Sequence, residues 1–288
     1  MPGRKTVVVD QATRLRELVK ASRTRAKVVA VTSGKGGVGK SNLALNLAIA
    51  AAPAAGRVFI VDADFGLANI DVLCGVTPSA GLADVIAGRR RLHEIAISTP
   101  FSVRLVPGAN GIAYLADLPD DDRTRLLAQL QTLEREADLI VIDTGAGISR
   151  NVIKIAAAAD ECLVVTTPEP TSITDAYAVV KLASREREHG RISVVVNQAD
   201  SREQAHRVAL RIASVARQFL RVDVEYAGFV FTDSHVPRAV RMRQPFVAAF
   251  PASAAAACVR KIASGFWTAQ APASDGGFLE RLRRLVRR

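Results

Sequence analysis

Residues 34–41 read GKGGVGKS. The run satisfies GxxxxGK[ST], and it follows KVVAVTS at 27–33, a β-branched stretch that predicts a buried strand. A helix is predicted from Lys40 to about Ala52. Strand, glycine loop and helix in that order confine the chain to folds in which a loop wraps a phosphate. The glycines let backbone N–H groups turn inward, and the helix N-terminus adds its positive dipole end. Gly34, Lys35, Gly36, Gly37, Val38, Gly39, Lys40, Ser41 and Asn42 are therefore the candidate nucleotide-binding residues. In such a loop Lys40 reaches the β- and γ-phosphates, and the Ser41 hydroxyl binds Mg²⁺.

The rest of the chain repeats the alternation. Strands are predicted at 57–64, 102–108, 138–143, 161–170, 192–198 and 224–231, with helices at 123–137, 172–188 and 201–220. Few hairpin signals intervene. The fold class is α/β, with a P-loop-type, mostly parallel twisted sheet covered by helices on both faces. With 288 residues and 49% hydrophobic content the chain has ample core for one such domain. Cys74, Cys162 and Cys258 are far apart and include no CxxC pair, which speaks against a disulfide framework, a zinc module or a cysteine-ligated cluster. No apolar run reaches the ~20 residues of a spanning helix, and no secretory signal is visible, so a cytoplasmic location is expected.

Three carboxylates end predicted strands. Asp62 and Asp64 close IVDAD, and Asp143 closes DLIVID. Strand C-termini beside the glycine loop are where an α/β sheet keeps its ligands, and carboxylates there hold hydrated Mg²⁺ and polarise water.

Lys35 is not required by the general motif. KGGVGKS, with its early lysine, resembles the deviant Walker A of the MinD/ParA ATPase family. The resemblance implies slow ATP hydrolysis, with ATP/ADP and Mg²⁺ as cofactors. It implies an ATP-dependent homodimer in which Lys35 crosses to the partner's nucleotide. It further implies that Asp64 positions the attacking water, that Asp62 and Asp143 support the Mg²⁺ shell with Ser41, and that Lys35, Lys40 and Asp64 are the catalytic set. Asn197, ending ISVVVN, and Glu169, in TTPEP, are implied to face the base, and Asp175 to support that loop or the dimer. The family's Pro-x-Asp loop is replaced here by Phe231-Thr232-Asp233, which leaves base contacts from 231–236 open.

DADFGLANIDVLCG, GLADVIAG, VPGANGIAYLADL, VIDTGAGISRNV and TTPEPTSITDAYAVVK are similar to the flagellar-number-regulator branch of the family, FlhG or FleN. This likeness runs over about 30–265.

The formal charge of +11 sits at the ends. Residues 1–27 hold eight Lys/Arg against two carboxylates, and 276–288 hold five Arg against Glu280, while 28–275 hold 26 basic and 25 acidic side chains. The chain divides accordingly into a basic helical arm (1–27), an ATPase domain (28–267), a linker (268–277) and an amphipathic helix (278–288). In the arm, a helix is predicted over 10–20. Its DQAxxLR pattern (Asp10, Gln11, Ala12, Leu15, Arg16) resembles the branch's segment that stimulates the SRP-type GTPase FlhF. At the other end Phe278, Leu279, Leu282, Leu285 and Val286 gather on one helical face, with Arg281, Arg284 and Arg288 placed elsewhere. That pattern fits an interfacial helix on an anionic membrane surface, giving reversible association with the inner face of the cell membrane. A flagellar transcription regulator or a basal-body component remains an open further partner. The alternative reading is a ParA-type DNA-partitioning ATPase, which shares KGGVGKS. The near-neutral body argues against it, and no specific nucleic acid is expected as a partner.

Overall fold

The structure is a computed structural model that describes residues 25–64, 69–108, 118–186, 190–268 and 277–286. The expected helix over 10–20, with Asp10, Gln11, Ala12, Leu15 and Arg16, lies outside the described residues, as does most of 268–277.

The elements run β1 (Lys27–Ser33), α1 (Lys40–Ala55), β2 (Val58–Ala63), α2 (Ile70–Cys74), α3 (Leu82–Ile86), α4 (Leu92–Ile95), β3 (Ile97–Ser98), β4 (Val103–Val106), α5 (Asp120–Glu136) and β5 (Leu139–Ala146). They continue with α6 (Arg150–Ala158), β6 (Glu161–Thr166), α7 (Pro170–Ala183), β7 (Arg191–Ala199), α8 (Arg202–Leu220), β8 (Glu225–Phe231), α9 (His235–Arg241), α10 (Phe246–Ala249), α11 (Ala254–Thr268) and α12 (Phe278–Val286).

The eight strands form one sheet in the order β3-β4-β2-β5-β1-β6-β7-β8. All pairs are parallel except the short β3–β4 pair at one edge. The chain moves outward from β1 in one direction through β2, and in the other through β6, β7 and β8. This places β1 at the switch point, the position where an open α/β sheet leaves a crevice for a ligand.

Burial explains why the central strands read as continuous apolar runs. Val28 and Ala30 pack toward one helical layer, Val29 and Val31 toward the other, and all four are fully buried. The first layer holds α3 to α8 and α12, the second α1, α2 and α9 to α11. Each fully buried valine contributes ~1.5–3 kcal/mol against exposure, so the strand carrying the glycine loop is held on both faces.

Seven helices, α2 to α4, α6 and α9 to α11, escaped the sequence reading. α6 is apolar almost all round, RNVIKIAAA, and so lacks a sharp periodicity; its start is marked by Ser149, whose hydroxyl accepts from the Val152 N–H. α11 lies in an alanine-rich stretch whose small side chains carry little amphipathic contrast. α2 to α4 are only four or five residues each, too short to show a period. α1 also runs past Pro53 to Ala55 before Gly56 stops it.

Candidate nucleotide site

The loop between β1 and α1 is shaped by its neighbours as much as by its own glycines. Gly39 stands at φ +86°, and a Cβ there would lie 2.4 Å from Asn197 Nδ2. Gly34 fails for space: a Cβ would lie 2.3 Å from the Asp175 carbonyl oxygen on α7. Asn197 donates from Nδ2 to the Val38 carbonyl at 2.7 Å, and the Ser33 hydroxyl donates to the Lys35 carbonyl at 3.0 Å. The loop is thus clamped between the end of β7 and the start of α7. Gly39 offers no side chain to cap α1, so the first N–H groups of that helix are available to an anion.

Directly behind the loop lies a cluster of one cation and three carboxylates. The β2–β5 register sets Asp62 opposite Asp143. Lys40, 6% exposed, donates from Nζ to Asp143 Oδ1 at 2.7 Å and lies 3.6 Å from Asp64 Oδ2. The Ser41 hydroxyl is 3.4 Å from the same ammonium. Asp62 accepts the N–H groups of Asp64, Asn69 and Ile70 at 3.1–3.3 Å. Burial nevertheless pushes Asp62 up to about 6, with Asp143 adding repulsion and the three N–H groups opposing. Burial also raises Asp143, against the pull of Lys40.

The cluster thus gathers three carboxylates about the Lys40 ammonium. Its donors are all hard oxygens, which suits Mg²⁺ rather than a softer metal. Among the described residues no three His, Cys, Asp or Glu side chains are grouped closely enough to cage a metal.

Lys35 sits at the outer rim, where Nζ donates to Glu169 Oε2 at 2.7 Å and to Thr171 Oγ1 at 3.3 Å. Glu169, expected toward the base, is thus engaged with Lys35. Beyond β8, Asp233 accepts from the N–H groups of His235 and Ala255 and pairs with His235 Nδ1 at 2.8 Å. Burial pushes the Asp233 carboxyl up, but these donors outweigh it and hold the group below its usual range. The carboxylate in the 231–236 segment is consumed by capping α11.

The C-terminal helix lies against α6 and α5 of its own chain. Phe278, Leu279, Leu282 and Leu285, the expected membrane face, are buried there; the side chain of Val286 is outside the described residues. Arg281, placed off that face by sequence, is buried as well. It precedes Leu285 by one helical turn and so borders the apolar stripe. Its Nε donates to the Ala158 carbonyl and Nη2 to Asp160, both at 2.7 Å. Glu134 Oε1 accepts the Phe278 N–H at 2.9 Å. Glu134 and Asp160 were missed by sequence reasoning, since nothing local marks an acceptor whose donor lies more than a hundred residues away.

A phosphate-shaped loop at the switch point, backed by a lysine and strand-end carboxylates, defines a P-loop nucleotide hydrolase. The ParA family model, described as NUBPL iron-transfer P-loop NTPase, matches residues 24–267. The chain belongs to this ParA/MinD family of P-loop ATPases. It is 40% identical to the antiactivator FleN of Pseudomonas aeruginosa over 88% of this chain and 91% of that protein. It is 32% identical to the flagellum site-determining protein YlxH of Helicobacter pylori, over 82% of each. The septum site-determining protein MinD of Pyrococcus horikoshii, solved with Mg-ADP, shares the fold with a TM-score of 0.67 at 23% identity, covering 84% of this chain and 96% of that one. The three cysteines are spread through the fold, Cys74 and Cys162 buried and Cys258 half-buried. No helix among the described residues is long and apolar enough to cross a membrane.

Proposed function

We propose that this ATPase is a switch of the flagellar-number-regulator kind, acting on flagellar number or placement. The observation that carries the reading is the pairing of a lysine–carboxylate cluster (Lys40, Asp62, Asp64, Asp143) with a second loop lysine, Lys35, on the open rim. The likeness to FleN and YlxH supports the flagellar assignment.

In this reading the α1 N-terminus and Lys40 bind the phosphates of ATP, Lys40 exchanging Asp143 for a phosphate oxygen. Ser41, Asp62 and Asp143 would hold Mg²⁺ through its water shell, where it supplies neutralisation of phosphate charge. Asp64 is the most solvent-facing of the three carboxylates, with a side chain 25% exposed, and it orients the attacking water. Lys35 leaves Glu169 and reaches the nucleotide of a second copy, joining a homodimer. Asn197 and Glu169 stand toward the base. ATP binding releases α12, which lies on an anionic membrane surface by its Phe278–Leu285 face, and hydrolysis returns it. The 10–16 segment stimulates FlhF.

The test is sedimentation with vesicles containing 30% anionic phospholipid. Wild type should pellet with ATP and not with ADP, and a chain lacking 278–288 should stay in solution with either. ATP-dependent pelleting of the shortened chain would remove α12 from the mechanism. The arm is tested separately, by adding a 1–27 peptide to FlhF with GTP. Stimulation lost with Gln11→Ala supports the activator role, and no stimulation by the natural peptide refutes it.

A further inference from the structure

The root of the N-terminal arm and the docked C-terminal helix end on the same carboxylate oxygen. Asp160 Oδ1 accepts Arg281 Nη2 at 2.7 Å and Arg25 Nη1 at 3.3 Å. Asp160 Oδ2 is occupied by the Val28 N–H at 2.9 Å, which fixes the carboxylate at the start of β1. Glu134 repeats the pattern: its Oε1 accepts the first N–H of α12 and lies 3.6 Å from Arg25 Nη1. Two cations and two carboxylates thus form one balanced quartet. Arg281, Asp160 and Glu134 are buried, and Arg25 is about one third exposed.

We propose that Arg25 and Arg281 compete for this quartet, so that the arm's root and the docked helix are negatively coupled. The proposal rests on the reading that α12 leaves the body. When it leaves, Arg281 goes with it and two carboxylates remain beside β1. Arg25, already in contact with both, is then freed from the repulsion of a second guanidinium on the same oxygen. Arg25 therefore stabilises the undocked position more than the docked one. By linkage, release of α12 tightens the hold on Arg25 by the same factor. The two ends of the chain are set by one event: the tail goes out and the root of the arm is drawn onto Asp160 and Glu134. A plain packing role for Arg25 predicts the opposite sign, because removing a contact to the anchor would then loosen the helix.

The measurement is amide hydrogen exchange of residues 279–285 in the full chain, normalised to the amides of β1. Arg25→Ala should raise protection of α12 roughly fivefold. Arg25→Lys, which keeps the charge, should leave it near wild type. In an Arg281→Met background the gain from Arg25→Ala should vanish, because no second cation remains to compete. Unchanged or lowered protection in Arg25→Ala overturns the proposal. The same variants with 30% anionic vesicles separate this claim from the membrane reading. Coupling in exchange without any vesicle binding by wild type leaves the coupling standing and refutes the membrane role.

Discussion

Replacing Lys40 should unfold the nucleotide site as well as empty it. Lys40 pairs with Asp143 at 2.7 Å and lies 3.6 Å from Asp64, and Asp143 is almost fully buried opposite Asp62. Lys40→Met keeps the apolar stem and removes the charge. Breaking a buried pair from one side costs ~3–5 kcal/mol because it strands the other charge. Asp64 is partly solvated, so the lower end applies, about 3 kcal/mol. For a chain of this size that is a fall in Tm of roughly 10 °C. Asp143→Asn added to Lys40→Met should recover much of it, since the stranded charge is gone. The defect should also shrink as pH falls toward 5. Burial already raises both Asp62 and Asp143, and losing Lys40 raises Asp143 further, so protonation relieves the variant more than the wild type. Urea unfolding of the nucleotide-free proteins at pH 5 and pH 7.5 gives the numbers. A loss below ~1 kcal/mol at pH 7.5, or a loss equal at both pH values, would refute the electrostatic account of this cluster.

Three further outcomes follow from the same geometry. Gly39→Ala places a side chain at positive φ and against Asn197, so it should cost about 2–3 kcal/mol in unfolding free energy and weaken ATP binding measured by calorimetry. Asp62 titrates near 6 when folded against about 3.9 unfolded, so the stability it contributes is present below about pH 4 and lost as pH rises through 6. Urea midpoints at pH 4.5 and 7 should differ less in Asp62→Ala than in wild type. Glu169→Gln removes an exposed pair worth ~0.5 kcal/mol in each copy, so the proposed ATP-driven dimerisation should strengthen about fivefold by sedimentation velocity; weakened association would mean Glu169 helps Lys35 rather than parking it.

The glycine loop, the alternation of strands and helices, and the strand-end carboxylates were legible because each rests on local chemistry. β-branched runs mark the central strands, and Lys40, Asp62, Asp64 and Asp143 sit where strand ends meet the loop. What was not legible depends on distant partners. Glu169 meets Lys35 across 134 residues, and Asp160 receives Arg281 across 121. The amphipathic pattern of 278–288 correctly marks a helix with one apolar face. It does not say whether that face meets lipid or its own chain, since both present the same apolar environment. Arg281 shows the limit most clearly: at the border of the stripe, its burial is decided by Asp160 and the Ala158 carbonyl, neither of which lies near it in sequence.

In the proposed switch, ATP joins two copies through Lys35. Light scattering of Asp64→Ala with ATP and Mg²⁺ tests it most directly, because blocked hydrolysis holds the bound state. The expected result is twice the 30.7 kDa chain mass with ATP, the single mass with ADP, and the single mass for Lys35→Ala/Asp64→Ala with ATP. A monomer in all three conditions, or a dimer that persists without Lys35, would contradict it.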